Sequence, residues 1–244
     1  CALPIYRGSS GNALIHEQTD RSGNSYVLTG LTNGTTYYFT FYMVTLDLNT
    51  GLPVNGDATN LSEIPFRAAD APATITLTPG DKQMQVNWSA SVLNGSVFGY
   101  YLVKLFSGSV GSGTNVITSG MVYNTTHTFT GLTNGAQYYA TVTVYTTNPN
   151  NGTSVTGGSR TASSSKIPFR APDAPTNVVV VPGDEEMEVT WTPAVLNGCV
   201  FTEYLVELFP DSHSITLNAS LHFNLAIFND TNYFFSQVRS NSFL

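Results

Sequence analysis

The chain has 244 residues with 41% hydrophobic side chains, enough to build cores. Only 10% are charged, against roughly 25% in ordinary soluble domains, so hydroxyls and amides wet its surface. Nine Lys plus Arg, scattered singly, against sixteen Asp plus Glu leave a net charge of -7, and the only cysteines, Cys1 and Cys199, lie far apart. This balance argues against a nucleic-acid partner, a disulfide framework and a cysteine-based zinc site.

Taken in order, the chain alternates apolar and polar residues with a period of two and offers no helical stripe. A block TGLTNG followed by two tyrosines, Thr29 to Tyr38, leads into the run Tyr37, Phe39, Phe41, Met43. After IPFRAADAP at 64–72 and a PGD turn, Met84, Val86 and Trp88 alternate with Gln83, Gln85 and Asn87, the pattern of a strand with one buried face. Tyr101, Val103 and Leu105 form the next such run. TGLTNG and its tyrosines return at Thr130 to Tyr139, opening Tyr138, Ala140, Val142, Val144. IPFRAPDAP at 167–175 repeats the earlier motif at an offset of 103, followed by Met187, Val189, Trp191 and by Tyr204, Val206, Leu208. Asp70 to Phe106 overlays Asp173 to Phe209 with 20 identities in 37 positions, which marks a duplication. A weaker echo of the tyrosine block is IFNDTNYF, Ile227 to Phe234. Three copies of one unit follow: 1–66 as the C-terminal part of a first repeat beginning inside its third strand, 67–169 as a complete second, and 170–244 as a third without its last strand. The expectation is a piece of a longer array.

The unit resembles a fibronectin type III domain in its opening DAP strand, a Trp on the second strand (Trp88, Trp191) and Tyr-x-Val-x-Leu on the third. A Leu or Ile six residues before a Tyr at the start of the sixth strand (Leu31/Tyr37, Leu132/Tyr138, Ile227/Tyr233) is similar to that family's tyrosine corner. The resemblance implies an all-β fold of tandem immunoglobulin-like antiparallel β-sandwiches, with Trp88, Trp191, Tyr37, Tyr138 and Tyr233 in the structural core. Short alternating strands between turn signals independently read as a sandwich. Tyr38, Tyr139 and Tyr145 fall on the outward phase and are expected to pack on the sheet face. The prolines at each junction suggest neighbours at a preferred angle, with Arg67–Asp70 and Arg170–Asp173 as solvated pairs.

Chemistry is sparse. No Asp or Glu stands between Asp81 and Asp173, so the complete repeat lacks the carboxylate pair of a glycosidase or the acid of a triad. His16, His127, His213 and His222 occupy different repeat positions, and the cluster Asp184, Glu185, Glu186 reads as a solvated turn. No catalytic, cofactor-binding or metal-binding residue is expected, and no cofactor. In the family, the loop before the last strand can carry adhesion motifs. Here it holds Leu46-Asp47-Leu48, then Asn148, Asn150 and Asn151 as a candidate binding loop. Asn33, Asn60, Asn94, Asn124, Asn151, Asn218 and Asn229 are candidate glycosylation sites, each preceding x-Ser/Thr; Asn87 does too but flanks a core Trp.

These readings lead to a non-enzymatic structural or interaction segment of an extracellular, cell or virion surface. Its expected partners are neighbouring repeats of the same or identical chains, by strand exchange between chains among other routes, and a protein or carbohydrate surface ligand. No nucleic acid and no membrane span are expected. The alternatives are accessory repeats of an extracellular carbohydrate-active enzyme, or a receptor ectodomain.

Overall fold

The computed structural model describes residues 3–7, 14–18, 25–206 and 232–235, the first two and the last of these segments as backbone strands. It is all-β, with antiparallel sheets and no helix among the described residues. The chain forms two compact units, one of Cys1–Pro79, Gln83–Leu132 and Gln137–Lys166, the other of Gly80–Lys82, Thr133–Ala136 and Ile167–Leu244.

In the first segment, β1 (Leu3–Arg7), β2 (Leu14–Gln18), β3 (Tyr37–Phe41) and β6 (Thr59–Glu63) make a sheet in the order β2-β1-β3-β6, while β4 (Val44–Leu46) and β5 (Pro53–Asn55) form a separate hairpin. Tyr37 is buried, with Tyr26, Leu28, Leu31 and Phe39 packed around it. Its hydroxyl accepts the Thr32 N–H at 2.9 Å.

The middle segment closes two sheets over one core. One sheet carries β7 (Ile75–Gly80), β8 (Gln83–Trp88) and β11 (Thr126–Thr130) in the order β11-β8-β7. The other carries β9 (Val97–Ser107), β10 (Thr114–Thr118), β12 (Tyr138–Thr147) and β13 (Ser154–Thr161) in the order β10-β9-β12-β13. Because strand side chains alternate between faces, Met84, Val86 and Trp88 from one sheet meet Tyr101, Val103, Leu105, Tyr138, Ala140, Val142 and Val144 from the other, all buried. The order β10-β9-β12-β13 is that of β2-β1-β3-β6, and so is the register. Leu105 faces Ala140 and Phe106 faces Tyr139, as Ile5 faces Phe39 and Tyr6 faces Tyr38.

The third segment carries β14 (Thr176–Pro182), β15 (Met187–Thr192) and β16 (Asn232–Phe235) in that order. Around Trp191 the middle sandwich's ring contacts recur. Trp88 meets Tyr101 edge-on at 5.4 Å, and Trp191 meets Tyr204 at 5.1 Å, both at 72°. The Tyr101 hydroxyl accepts the Ser91 N–H at 2.9 Å, and that of Tyr204 accepts the Ala194 N–H at 3.1 Å.

Two expectations are corrected here. Tyr204 and Val206 lie in no strand, and Leu208 lies outside the described residues. Tyr233, expected to open a sixth strand, lies on β16, which pairs with β15, so β16 holds the place that β11 holds beside β8. Tyr233 opposes Val189 as His127 opposes Val86, and Phe235 opposes Met187 as Phe129 opposes Met84. The corner spacing at Ile227/Tyr233 is a two-residue signal without the glycines of TGLTNG. Phe235 gives the same stretch an equally good fit to the fifth-strand register.

Candidate functional site

Among the described residues, many polar side chains with defined partners lie at the turns, and others pair across strands on the sheet faces. The hairpin loops 47–52 and 148–153 are built alike. Asp47 Oδ1 accepts the Asn49 N–H at 2.7 Å and Asn148 Oδ1 accepts the Asn150 N–H at 2.8 Å, while Gly51 N–H and Gly152 N–H close the loops onto the carbonyls of residues 47 and 148. The amides of Asn49, then Thr50, hold the Asp47 carboxyl below its ordinary range, since they bind the charged form. The acid of the Leu46-Asp47-Leu48 triplet is therefore turned onto its own loop.

Of the candidate binding loop, Asn148 braces the turn from within. The Asn151 side-chain oxygen accepts from the N–H and hydroxyl of Thr153 at 3.0 and 2.8 Å. Asn150 reaches the segment before the middle sandwich, its oxygen accepting the Ile64 N–H at 2.9 Å and its nitrogen donating to the Ile64 carbonyl at 3.0 Å. A two-point amide clamp on backbone leaves this side chain occupied rather than offered to a ligand.

The segments 64–70 and 167–173 carry a second constellation, found at both. Arg67 and Arg170 each donate to the aspartate three residues on at 2.6 Å, which lowers the pKa of Asp70 and Asp173 by charge-assisted hydrogen bonding. Asn94 donates to the carbonyls of Ala68 and Val92 at 3.2 and 3.3 Å, and Asn197 to those of Ala171 and Val195 at 3.1 and 3.2 Å. Both asparagines adopt φ 51°. Asn94 stood among the candidate glycosylation sites, yet its amide nitrogen is already engaged. The sequence did carry a signal for Asn94 and Asn197, the Asn-Gly turn LNG at 93–95 and again at 196–198.

Asn33, Asn60, Asn124 and Asn151 are exposed; Asn218 and Asn229 lie outside the described residues, as do His213 and His222. Trp88, Tyr37 and Tyr138 are buried, and Trp191 is half-buried. On the outward phase, Tyr145 stacks on Tyr100 at 4.9 Å and Tyr139 on Phe106 at 5.0 Å. Between these stacks Thr141 meets Thr161 and Thr143 meets Ser159 through their hydroxyls at 3.0 and 2.9 Å.

A shallow hollow lined by Met121, Val122, Tyr123, Thr126 and His127 holds no carboxylate. His127 lies edge-on to Phe129 at 4.7 Å, and burial pushes its pKa below 6.5 by disfavouring the charged ring. Among the described residues no three His, Cys, Asp or Glu converge as a metal site, and no helix is long and apolar enough to cross a membrane.

Residues 70–156 match the family model of the fibronectin type III domain, from the opening of the middle segment into β13. The match fits an immunoglobulin-like β-sandwich, a module that is generally non-catalytic and commonly extracellular. No curated protein matches the chain.

Proposed function

We propose that the chain is a structural and interaction segment: fibronectin-type sandwiches in tandem, with repeats at 1–66, 67–169 and 170–244, that space or decorate an extracellular, cell or virion surface. The observation that carries this reading is the return of whole side-chain constellations at an offset of 103. Arg67/Asp70/Asn94 becomes Arg170/Asp173/Asn197, and Trp88/Tyr101 becomes Trp191/Tyr204. The repeated sheet order and register of the first and middle segments support it too. Polar groups in the loops bond their own backbone, and the complete repeat brings no acid–base pair together, so spacing and surface contact fit better than turnover.

The test is limited proteolysis of the full chain, read by mass. The expected cuts fall near 64–70 and 167–173 and leave a resistant middle fragment. Cuts through 97–147 with no stable fragment would overturn the array. Hydrolysis of any member of a glycoside panel would overturn the non-enzymatic role. In a host that glycosylates the protein, hexose ladders are expected at Asn33, Asn60, Asn124 and Asn151 and not at Asn94. An unmodified mass would remove glycans from the proposal.

A further inference from the structure

The Thr-Asn-Gly and Leu-Asn-Gly turns meet in pairs. Gly34, in the first Thr-Asn-Gly turn, donates its N–H to the Pro65 carbonyl at 2.9 Å, and Gly135, in the second, donates to Pro168 at 3.0 Å. Against each sits the glycine of a Leu-Asn-Gly turn. A Cβ on Gly95 would fall on the Gly34 nitrogen and lie 2.9 Å from the Pro65 oxygen. One on Gly198 would lie 2.6 Å from the Gly135 nitrogen and 2.7 Å from the Pro168 oxygen. These neighbours are backbone, which cannot swing away as a side-chain tip can. Gly95 and Gly198 also sit at φ 84° and 91°, where a Cβ is strained in any case.

The same three-part frame surrounds both contacts. The Arg–Asp pair closes the proline segment, the Asn94 or Asn197 amide ties it to the Leu-Asn-Gly turn, and the Arg67 and Arg170 N–H groups return to the carbonyls of Asn94 and Asn197 at 3.1 and 3.2 Å. At the second contact, Asn134 adds its oxygen to the Lys82 N–H and its nitrogen to Asp81, both at 2.8 Å.

We propose that each Leu-Asn-Gly turn with its proline segment is a docking surface for the Thr-Asn-Gly turn of the sandwich before it, and that Gly95 and Gly198 are the residues that let the two backbones meet. The partner is another sandwich of this same kind, because at both places the surface holds a Thr-Asn-Gly turn whose glycine N–H reaches the proline carbonyl. The demand for a bare backbone falls on the Leu-Asn-Gly side: a Cβ on Gly34 or Gly135 would lie 3.3 Å from the Gly95 Cα and 3.5 Å from the Gly198 Cα, whereas one on Gly95 or Gly198 runs into backbone nitrogen and oxygen. This inference rests on the array reading and adds to it a backbone contact that depends on two glycines.

Amide hydrogen exchange on the full chain tests it. In the unaltered protein the Gly34 and Gly135 amides are expected to exchange at least about tenfold more slowly than an open turn allows, because the joint must open first. Gly95→Ala is expected to speed Gly34 exchange by about tenfold or more while Val103 and Val142, in the core, keep their protection. Gly131→Ala, a positive-φ site at 73° with nothing near its would-be Cβ, is expected to leave Gly34 unchanged. Unprotected Gly34 and Gly135 amides in the unaltered chain, with β3 and β15 protected, would overturn the joint and leave the array standing. Gly34 exchange that stays unchanged in Gly95→Ala would overturn the joint in the same way. If β3 and β15 themselves exchange freely while the middle core is protected, the array reading falls instead. If Gly95→Ala does not fold, the unaltered-chain measurement decides alone.

Discussion

Met84 on β8 and Met187 on β15 hold the same place in two matching runs of sequence, yet Met84 is fully buried and Met187 is 46% exposed. The first segment repeats the lesson on the other sheet. Val142 is fully buried, whereas Phe41, at the end of β3 and 101 residues earlier, is 37% exposed. Alternation gives a strand a greasy face, but only an opposing sheet takes that face out of water. In the middle segment β8 and β12 cover each other. Local contacts survive the difference: the Trp–Tyr edge contact and the tyrosine hydroxyl bond form in both later segments because their partners lie within about a dozen residues.

The sharpest way to break this comparison is Trp88→Ala, expected to cost ~3–5 kcal/mol in denaturant unfolding of the middle sandwich, since a large buried ring leaves a cavity. A loss under about 1 kcal/mol would mean that the faces are assigned the wrong way round. Next, Met84→Ala is expected to cost ~2–5 kcal/mol and Met187→Ala less than about 1 kcal/mol, because little apolar surface leaves water at Met187. Equal losses would show that both faces are covered in solution. Tyr101→Phe removes the acceptor of the Ser91 N–H and is expected to cost about 0.5–1.5 kcal/mol. Tyr204→Phe should do the same at Ala194, and a silent pair would deny those hydroxyls a structural role.

The smallest expected effect is a pH slope. His127 has a lowered folded pKa, so below about 6.5 the unfolded chain binds the proton more readily and the middle sandwich loses stability as pH falls, until the folded ring also titrates. His127→Gln should flatten that slope above the carboxylate range. An unchanged slope would place the titration elsewhere.

Much of the fold was legible because it is local. Period-two alternation marked the runs at Met84–Trp88 and Tyr138–Val144, and duplication marked which later residues would repeat their contacts. What misled was Ile227/Tyr233: spacing along one strand cannot say which neighbour that strand will pair with, and Phe235 offered a competing register. The joint glycines were visible only as turns, since nothing in an Asn-Gly pair announces what backbone will come against it.

From the amino acids alone came the strand class and the inward phase, both dictated by chain stereochemistry within a few residues, and the match between two runs of sequence 103 residues apart. Tertiary structure alone decided which of three similar faces is dry, which asparagines are engaged and which glycines touch. Those outcomes depend on groups brought together from across the chain, where burial and close approach are settled by the second surface as much as by the first.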